Sequence, residues 1–206
     1  PQPYRQPAPN ADGTIPQLQS ACVIMDPYTG AIVALSGGTG EKNANFILNR
    51  ATGAYRSPGS SFKPLASYGP AMEYGIITPN TEVNDSKDIV LSGSSWYPRN
   101  ANGGYMGWTT IRQGLASSLN TVAAQIIDKL TPEASFEFLQ TRLGFESLVE
   151  QDCNYAPLAL GELTHGVTVR EMTQAYCAFL NKGVFTYGRT YKIPDGPSHQ
   201  AGMSVD

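Results

Sequence analysis

Two apolar runs stand out early in the chain, Ala21-Cys22-Val23-Ile24-Met25 and Ala31-Ile32-Val33-Ala34-Leu35, separated by Asp26-Pro27-Tyr28-Thr29-Gly30. β-branched runs flanking an Asp-Pro-x-x-Gly turn predict an antiparallel hairpin. Gly37-Gly38-Thr39-Gly40 then reads as a loop. It is not a phosphate cradle, since no Gly-Lys-Ser/Thr follows and no helix is expected to begin there. A helix is expected from about Ser60 towards Gly75, with Pro64 in its first turn and a break near Gly69-Pro70. Residues 78–105 read as loop, with one short apolar run at Ile89-Val90-Leu91.

Helical patterns return at Thr109–Leu115 and Thr121–Leu130, with polar Ser117-Ser118-Leu119-Asn120 between them. Thr131-Pro132-Glu133 supplies a cap, a proline at the first helical position and an acid at the positive helix end; Gly144 closes that helix. Thr168-Val169-Arg170-Glu171 is a capping box for a last helix that Gly183 ends. Val169, Met172, Tyr176, Phe179 and Leu180 share one face of it, which predicts packing against a core.

Length and composition narrow the class. The 206 residues are 41% apolar and 15% charged, with 21 Gly and 15 Pro in no repeating pattern. This excludes collagen-like, coiled-coil and wholly disordered chains and fits one domain or two small ones. A net charge of -3 without a basic block argues against nucleic-acid binding. Cys22, Cys153 and Cys177 make no closed disulfide framework; Cys22 and Cys177 are expected to act as small hydrophobes. With His165 and His199 alone, a zinc site has few ligands to draw on. The longest apolar runs are far too short to span a membrane. Prolines at 1, 3, 7, 9 and 16 make residues 1–19 a linker, and a start without Met is what a partial or processed chain would show.

Candidate chemistry lies in Arg56-Ser57-Pro58-Gly59-Ser60-Ser61-Phe62-Lys63-Pro64. Ser60 and Lys63, three apart, share a helix face. A serine hydroxyl needs a base to attack a carbonyl at neutral pH, and a lysine serves if its neutral form is accessible. Backbone N–H groups at a helix start would face the resulting oxyanion. Ser-x-x-Lys fixes only two positions, and Ser118-Leu119-Asn120 alone is equally weak. In this order and at this separation they are informative together.

At this point the chain resembles the transpeptidase domain of penicillin-binding proteins, most closely class A enzymes of Gram-positive type. The resemblance runs from about residue 20 to about 185. It rests on the hairpin with its Gly37-Gly38 close, Asn49-Arg50-Ala51-Thr52, the Ser60 segment, Pro98-Arg99-Asn100, Tyr105 and Gly107. It continues through Ser118-Leu119-Asn120-Thr121, Leu158-Ala159-Leu160-Gly161, Gly166-Val167-Thr168 and Ala175-Tyr176.

The resemblance implies an α+β, β-lactamase-like fold: a mainly helical lobe plus an N-terminal hairpin belonging to a five-stranded sheet. It implies that Ser60 is acylated by a D-Ala-D-Ala stem peptide or a β-lactam, with Lys63 as base. Ser118 would relay protons, Asn120 would hold the substrate amide or Lys63, and no cofactor or metal is needed. It further implies peptidoglycan stem peptides as partners, an upstream glycosyltransferase domain, and the extracytoplasmic face of a bacterial membrane. This segment itself would contact neither membrane nor nucleic acid.

The family's Lys-Thr/Ser-Gly motif does not occur here, and Arg189-Thr190-Tyr191 is its nearest substitute. Residues 20–188 are therefore expected to form a transpeptidase domain lacking its C-terminal strands, followed by a divergent polar tail at 189–206. Two alternatives stay open: a serine β-lactamase or β-lactam sensor, and a non-catalytic fragment binding peptidoglycan or a partner protein.

Overall fold

The computed structural model describes residues 9–15, 17–42 and 44–190. Most of the proline-rich opening, His199 and Tyr191 lie outside them.

The expected hairpin forms. Strands β1 (Cys22–Met25) and β2 (Ile32–Ser36) pair antiparallel, with Val23 opposite Leu35 and Ile24 opposite Ala34. Asp26 builds the turn: its carboxylate accepts from Tyr28 N at 2.9 Å, and its carbonyl from Gly30 N at 2.9 Å. Gly30, at φ +74°, closes the reversal without strain. Cys22 lies exposed on the outward side of this hairpin, not packed as a hydrophobe, whereas Cys177 is buried. The strand then meets α1 (Arg50–Gly53), where Arg50 N donates to Gly37 O and Asn49 caps the helix through Ala51 N.

The segment carrying Ser60 is not the single helix the sequence predicts. It winds as a 3-10 turn over Gly59–Phe62, a π-helical turn over Pro64–Tyr68, and α2 over Gly69–Glu73. Two prolines explain the changes of winding, because neither can donate to the ladder. Gly69 N reaches back five residues to Pro64 O. In α-winding, Ala66 O would need the N–H that Pro70 lacks. The fully buried Ser135, on α5 (Pro132–Thr141), donates its hydroxyl to that carbonyl at 2.7 Å instead.

A second sheet lies where the sequence reads as loop. β3 (Glu82–Asp85) pairs antiparallel with β4 (Gly107–Thr110), joining Asn84 to Trp108 and Asp85 to Gly107. Thr109, expected to be helical, is a strand residue, and α3 (Ile111–Ala116) starts only after Thr110 caps it. The pattern was hidden because the inward residues of β3 are Val83 and Asp85. A buried carboxylate breaks the apolar alternation that marks a half-buried strand.

The core surrounds α4 (Asn120–Leu130), whose Val122, Ala123, Ala124, Ile126 and Ile127 are buried. It packs on α5, on α6 (Tyr155–Leu160) and on the π-helical turn behind Ser60. Thr131 caps α5 through Ala134 N, as predicted. The capping box opens α7 (Val169–Leu180), with Thr168 and Glu171 exchanging bonds.

One expectation about α7 is overturned. Its buried face is Glu171, Gln174, Ala175, Cys177 and Ala178, while Phe179 and Leu180 are 53% and 68% exposed. Small residues let the helix approach α1 closely. The larger apolar side chains line a groove of about 630 Å³ against Val23, Ile24 and Met25 of β1.

Candidate active site

Lys63 is fully buried, and its Nζ donates to three acceptors: Asn120 Oδ1 at 2.6 Å, Ser118 O at 2.7 Å and Ser118 Oγ at 3.2 Å. The structure thus brings three of the four residues singled out in the sequence together on one nitrogen. None of the three acceptors is charged, so their hydrogen bonds offset only part of the ammonium's lost hydration. Burial lowers the Lys63 pKa from 10.5 to about 8. A lysine in this state reaches its neutral, proton-accepting form near physiological pH.

Ser118 can present both oxygens because its backbone is left-handed, at φ +53°. That conformation is uncommon for a residue with a Cβ. It is held by Ser118 N donating to Leu115 O and Leu119 N donating to Gly114 O at the end of α3. Gly114 allows the tight approach: a Cβ there would lie 2.7 Å from Val122. Asn120 opens α4. Its Nδ2 donates to Arg99 O at 2.7 Å, which turns its Oδ1 towards Lys63.

Ser60 is exposed at the start of the 3-10 turn, where residues three apart stack on one side. Lys63 is the residue three ahead. Among the described residues Ser60 Oγ makes no hydrogen bond, so the nucleophile candidate is not bonded to the other three. Its backbone, in contrast, is fixed on both sides. Upstream, Arg56 and Val167 exchange backbone bonds, and Gly161 O accepts from Ser57 Oγ at 2.5 Å and Gly59 N at 3.2 Å. Downstream, Ser61 Oγ donates to Pro58 O, and Tyr176 Oη donates to Ser61 O at 2.6 Å.

Gly161 makes this seating possible. It has φ +72°, and a Cβ there would lie 2.1 Å from Gly59 O. Gly161→Ala is therefore expected to destabilise the protein by about 2 kcal/mol or more, combining αL strain with a backbone clash. It should also slow any reaction at Ser60. Urea unfolding checks it; an unchanged midpoint would show that the loop is not seated on Gly161.

Arg189, from the nearest substitute for the Lys-Thr/Ser-Gly motif, pairs through its backbone with Gly30 and Ile32 at the hairpin turn. It makes no hydrogen bond to Lys63, Ser118 or Asn120 among the described residues. No cluster of three or more His, Cys, Asp or Glu side chains that could hold a metal occurs among the described residues either. Two polar residues of the site carried no role in the sequence reading. Asn100 accepts from Asn120 N, and Asp85 bonds Asn100. The clue was Leu119, an apolar residue at the helix-start position, which obliges another residue to cap α4.

The penicillin binding protein transpeptidase domain model matches residues 20–192. Penicillin-binding protein 4 of Bacillus subtilis is 36% identical over 169 residues, covering 82% of this chain and 26% of that protein. Penicillin-binding protein 1A of Clostridium acetobutylicum is 34% identical over 185 residues, covering 85% of this chain and 22% of that protein. Among solved structures, penicillin-binding protein 1A from Haemophilus influenzae superposes with a TM-score of 0.66 at 31% identity, over 82% of this chain and 25% of that one. PonA1 from Mycobacterium tuberculosis, solved in complex with penicillin V, gives 0.65 at 27% identity, over 82% and 45%. The chain belongs to the penicillin-binding protein transpeptidase family, and it spans about a quarter of the length of the curated relatives named here.

Proposed function

We propose that this chain carries the acyl-transfer centre of a serine D,D-transpeptidase that cross-links peptidoglycan. One observation carries the reading. Ser118 and Asn120, 55 and 57 residues along the chain from Lys63, converge on its buried Nζ.

Neutral Lys63 takes the Ser60 hydroxyl proton as Oγ attacks the penultimate D-Ala carbonyl of a stem peptide. The Ser60 N–H donates to the developing oxyanion. As the tetrahedral intermediate collapses, the peptide C–N bond breaks. The proton passes from Lys63 through Ser118 Oγ to the leaving D-Ala amine, and Lys63 returns to its neutral form. An amine from a neighbouring stem peptide then attacks the acyl ester and gives its proton to Lys63. The bond to Ser60 Oγ breaks and Ser60 is reprotonated. Asn120 keeps Lys63 in place throughout and offers its amide edge to the substrate. A β-lactam enters the same path, but its leaving amine stays tethered to the acyl group.

The partners are stem peptides ending in D-Ala-D-Ala, and β-lactam antibiotics. The penicillin-binding protein 1A relatives support a glycosyltransferase domain in the same protein and a place at the extracytoplasmic face of the membrane. Among the described residues, no helix is long and apolar enough to cross a membrane.

The test is the time course of fluorescent penicillin on the intact protein. A transpeptidase is labelled once and stays labelled. Rapid turnover of the label would mark a β-lactamase, and absence of any label a non-catalytic binding role; either overturns the reading.

A further inference from the structure

Asp85 is the inward-facing carboxylate of β3, completely buried, and no cation pairs with it among the described residues. Removing a carboxylate from water without a countercharge is costly, and neutral hydrogen bonds offset only part of that. Asp85 has three such bonds. Oδ1 accepts from Asn100 Nδ2 at 2.8 Å and from Thr121 Oγ1, and Oδ2 accepts from Met106 N at 2.7 Å. A neutral side chain could fill the same space, so the carboxylate calls for another explanation.

Gly104 O can only accept and lies 2.9 Å from Asn100 Nδ2, so the edge of the Asn100 amide facing it and Asp85 is the NH2. Asn100 Oδ1 is then turned the other way, to the start of α4. There it accepts from Asn120 N at 2.9 Å and lies 3.4 Å from Thr121 N. Leu119 has no side-chain oxygen to cap this helix, so Asn100 does so from a loop 20 residues upstream. The neighbouring Arg99 O fixes the side chain of the same Asn120. Asn120 is held through both main chain and side chain, and its remaining oxygen meets Lys63 Nζ.

We infer that Asp85 and Asn100 are positioning residues for the general base: Asp85 holds Asn100 and, through Met106 N, its loop in place, and Asn100 sets where Asn120 holds Lys63. The inference rests on the proposed role of Lys63 and adds to it a specific reason for the buried acid. Asp85→Asn leaves one acceptor oxygen for three donors, so its NH2 opposes either the Asn100 NH2 or the Met106 N–H. Either repulsion displaces Asn100 or the 99–106 loop that carries Arg99 O, and Lys63 loses a firmly placed acceptor.

The test is penicillin acylation kinetics across pH on the intact protein, for wild type, Asp85→Asn, Asn100→Asp and the exchanged pair Asp85→Asn/Asn100→Asp. Asp85→Asn should acylate about 10- to 100-fold more slowly. Its pH midpoint should fall below that of wild type, because a still-buried ammonium has lost an acceptor. Mere loosening would admit water and move the midpoint up. The exchanged pair restores a donor facing an acceptor and a capping oxygen on α4. It should acylate about tenfold or more faster than the product of the two single effects predicts, yet slower than wild type because Gly104 O loses its donor.

A folded Asp85→Asn protein with unchanged rate and midpoint, or with a raised midpoint, overturns the inference. So does an exchanged pair no faster than the product of the single effects predicts. If Asp85→Asn does not fold, the exchanged pair decides: acylation within about tenfold of wild type supports the inference, and anything slower overturns it. Wild type that takes no label overturns the underlying reading of Lys63 instead, a distinct result.

Discussion

Lys63→Ala is expected to slow acylation of Ser60 by penicillin about 10²- to 10⁴-fold, the range for loss of a positioned general base. The fold should survive better than the rate, because Lys63 bonds only to Ser118 and Asn120 and anchors no ion pair among the described residues. Lys63→Arg separates charge from basicity. A guanidinium fills much of the space and keeps the positive charge, but it does not give up its proton at working pH. It should be as slow as alanine. Stopped-flow or gel-based labelling, with circular dichroism to confirm folding, measures both. A Lys63→Arg protein acylating within tenfold of wild type would show that Lys63 supplies charge rather than a proton acceptor.

The second large effect is on pH. Burial brings Lys63 down to about 8, so the neutral fraction rises with pH up to that value and levels off above it. The acylation rate constant should therefore climb roughly fiftyfold between pH 6 and pH 8 and then flatten. Stability has the same sign for this group. The unfolded lysine keeps its proton to about 10.5 while the folded one has lost it, so Lys63's contribution becomes less unfavourable between about 8 and 10.5. A flat rate profile from pH 6 to 9, or one still climbing at pH 10, would contradict the buried, neutral-accessible lysine.

Much of this architecture is written locally. Asp26 and Gly30 announce the hairpin turn, Thr131-Pro132 and the Thr168–Glu171 box announce α5 and α7, and the Ser60 segment is conspicuous in the chain. These signals depend on neighbours within a few residues, where capping and turn chemistry act. What stayed hidden is non-local. β3 pairs with β4 while its inward Asp85 is satisfied by Asn100, Met106 and Thr121, up to 36 residues away, and no hydrophobic period encodes that. The π-helical turn behind Ser60 depends on where Pro64 and Pro70 fall relative to each other and on Ser135, 69 residues from Ala66. On α7 the large apolar residues suggested a core face, but close helix approach favoured Ala175 and Ala178, leaving Phe179 and Leu180 exposed. For the site, the residue types could be named from the sequence. The left-handed Ser118 and the amide orientation at Asn120 emerge only when α3, α4 and the 99–106 loop meet.

In the proposed reaction Ser60 Oγ is the nucleophile that forms the acyl ester, with Lys63 drawing its proton. Treating the intact protein with a labelled penicillin, measuring its intact mass and sequencing the modified peptide identifies the acylated residue. One adduct per chain, on Ser60 within the peptide that carries Phe62 and Lys63 and absent in Ser60→Ala, is the predicted result. An adduct on Ser61 or Ser118, or one that persists in Ser60→Ala, would contradict it.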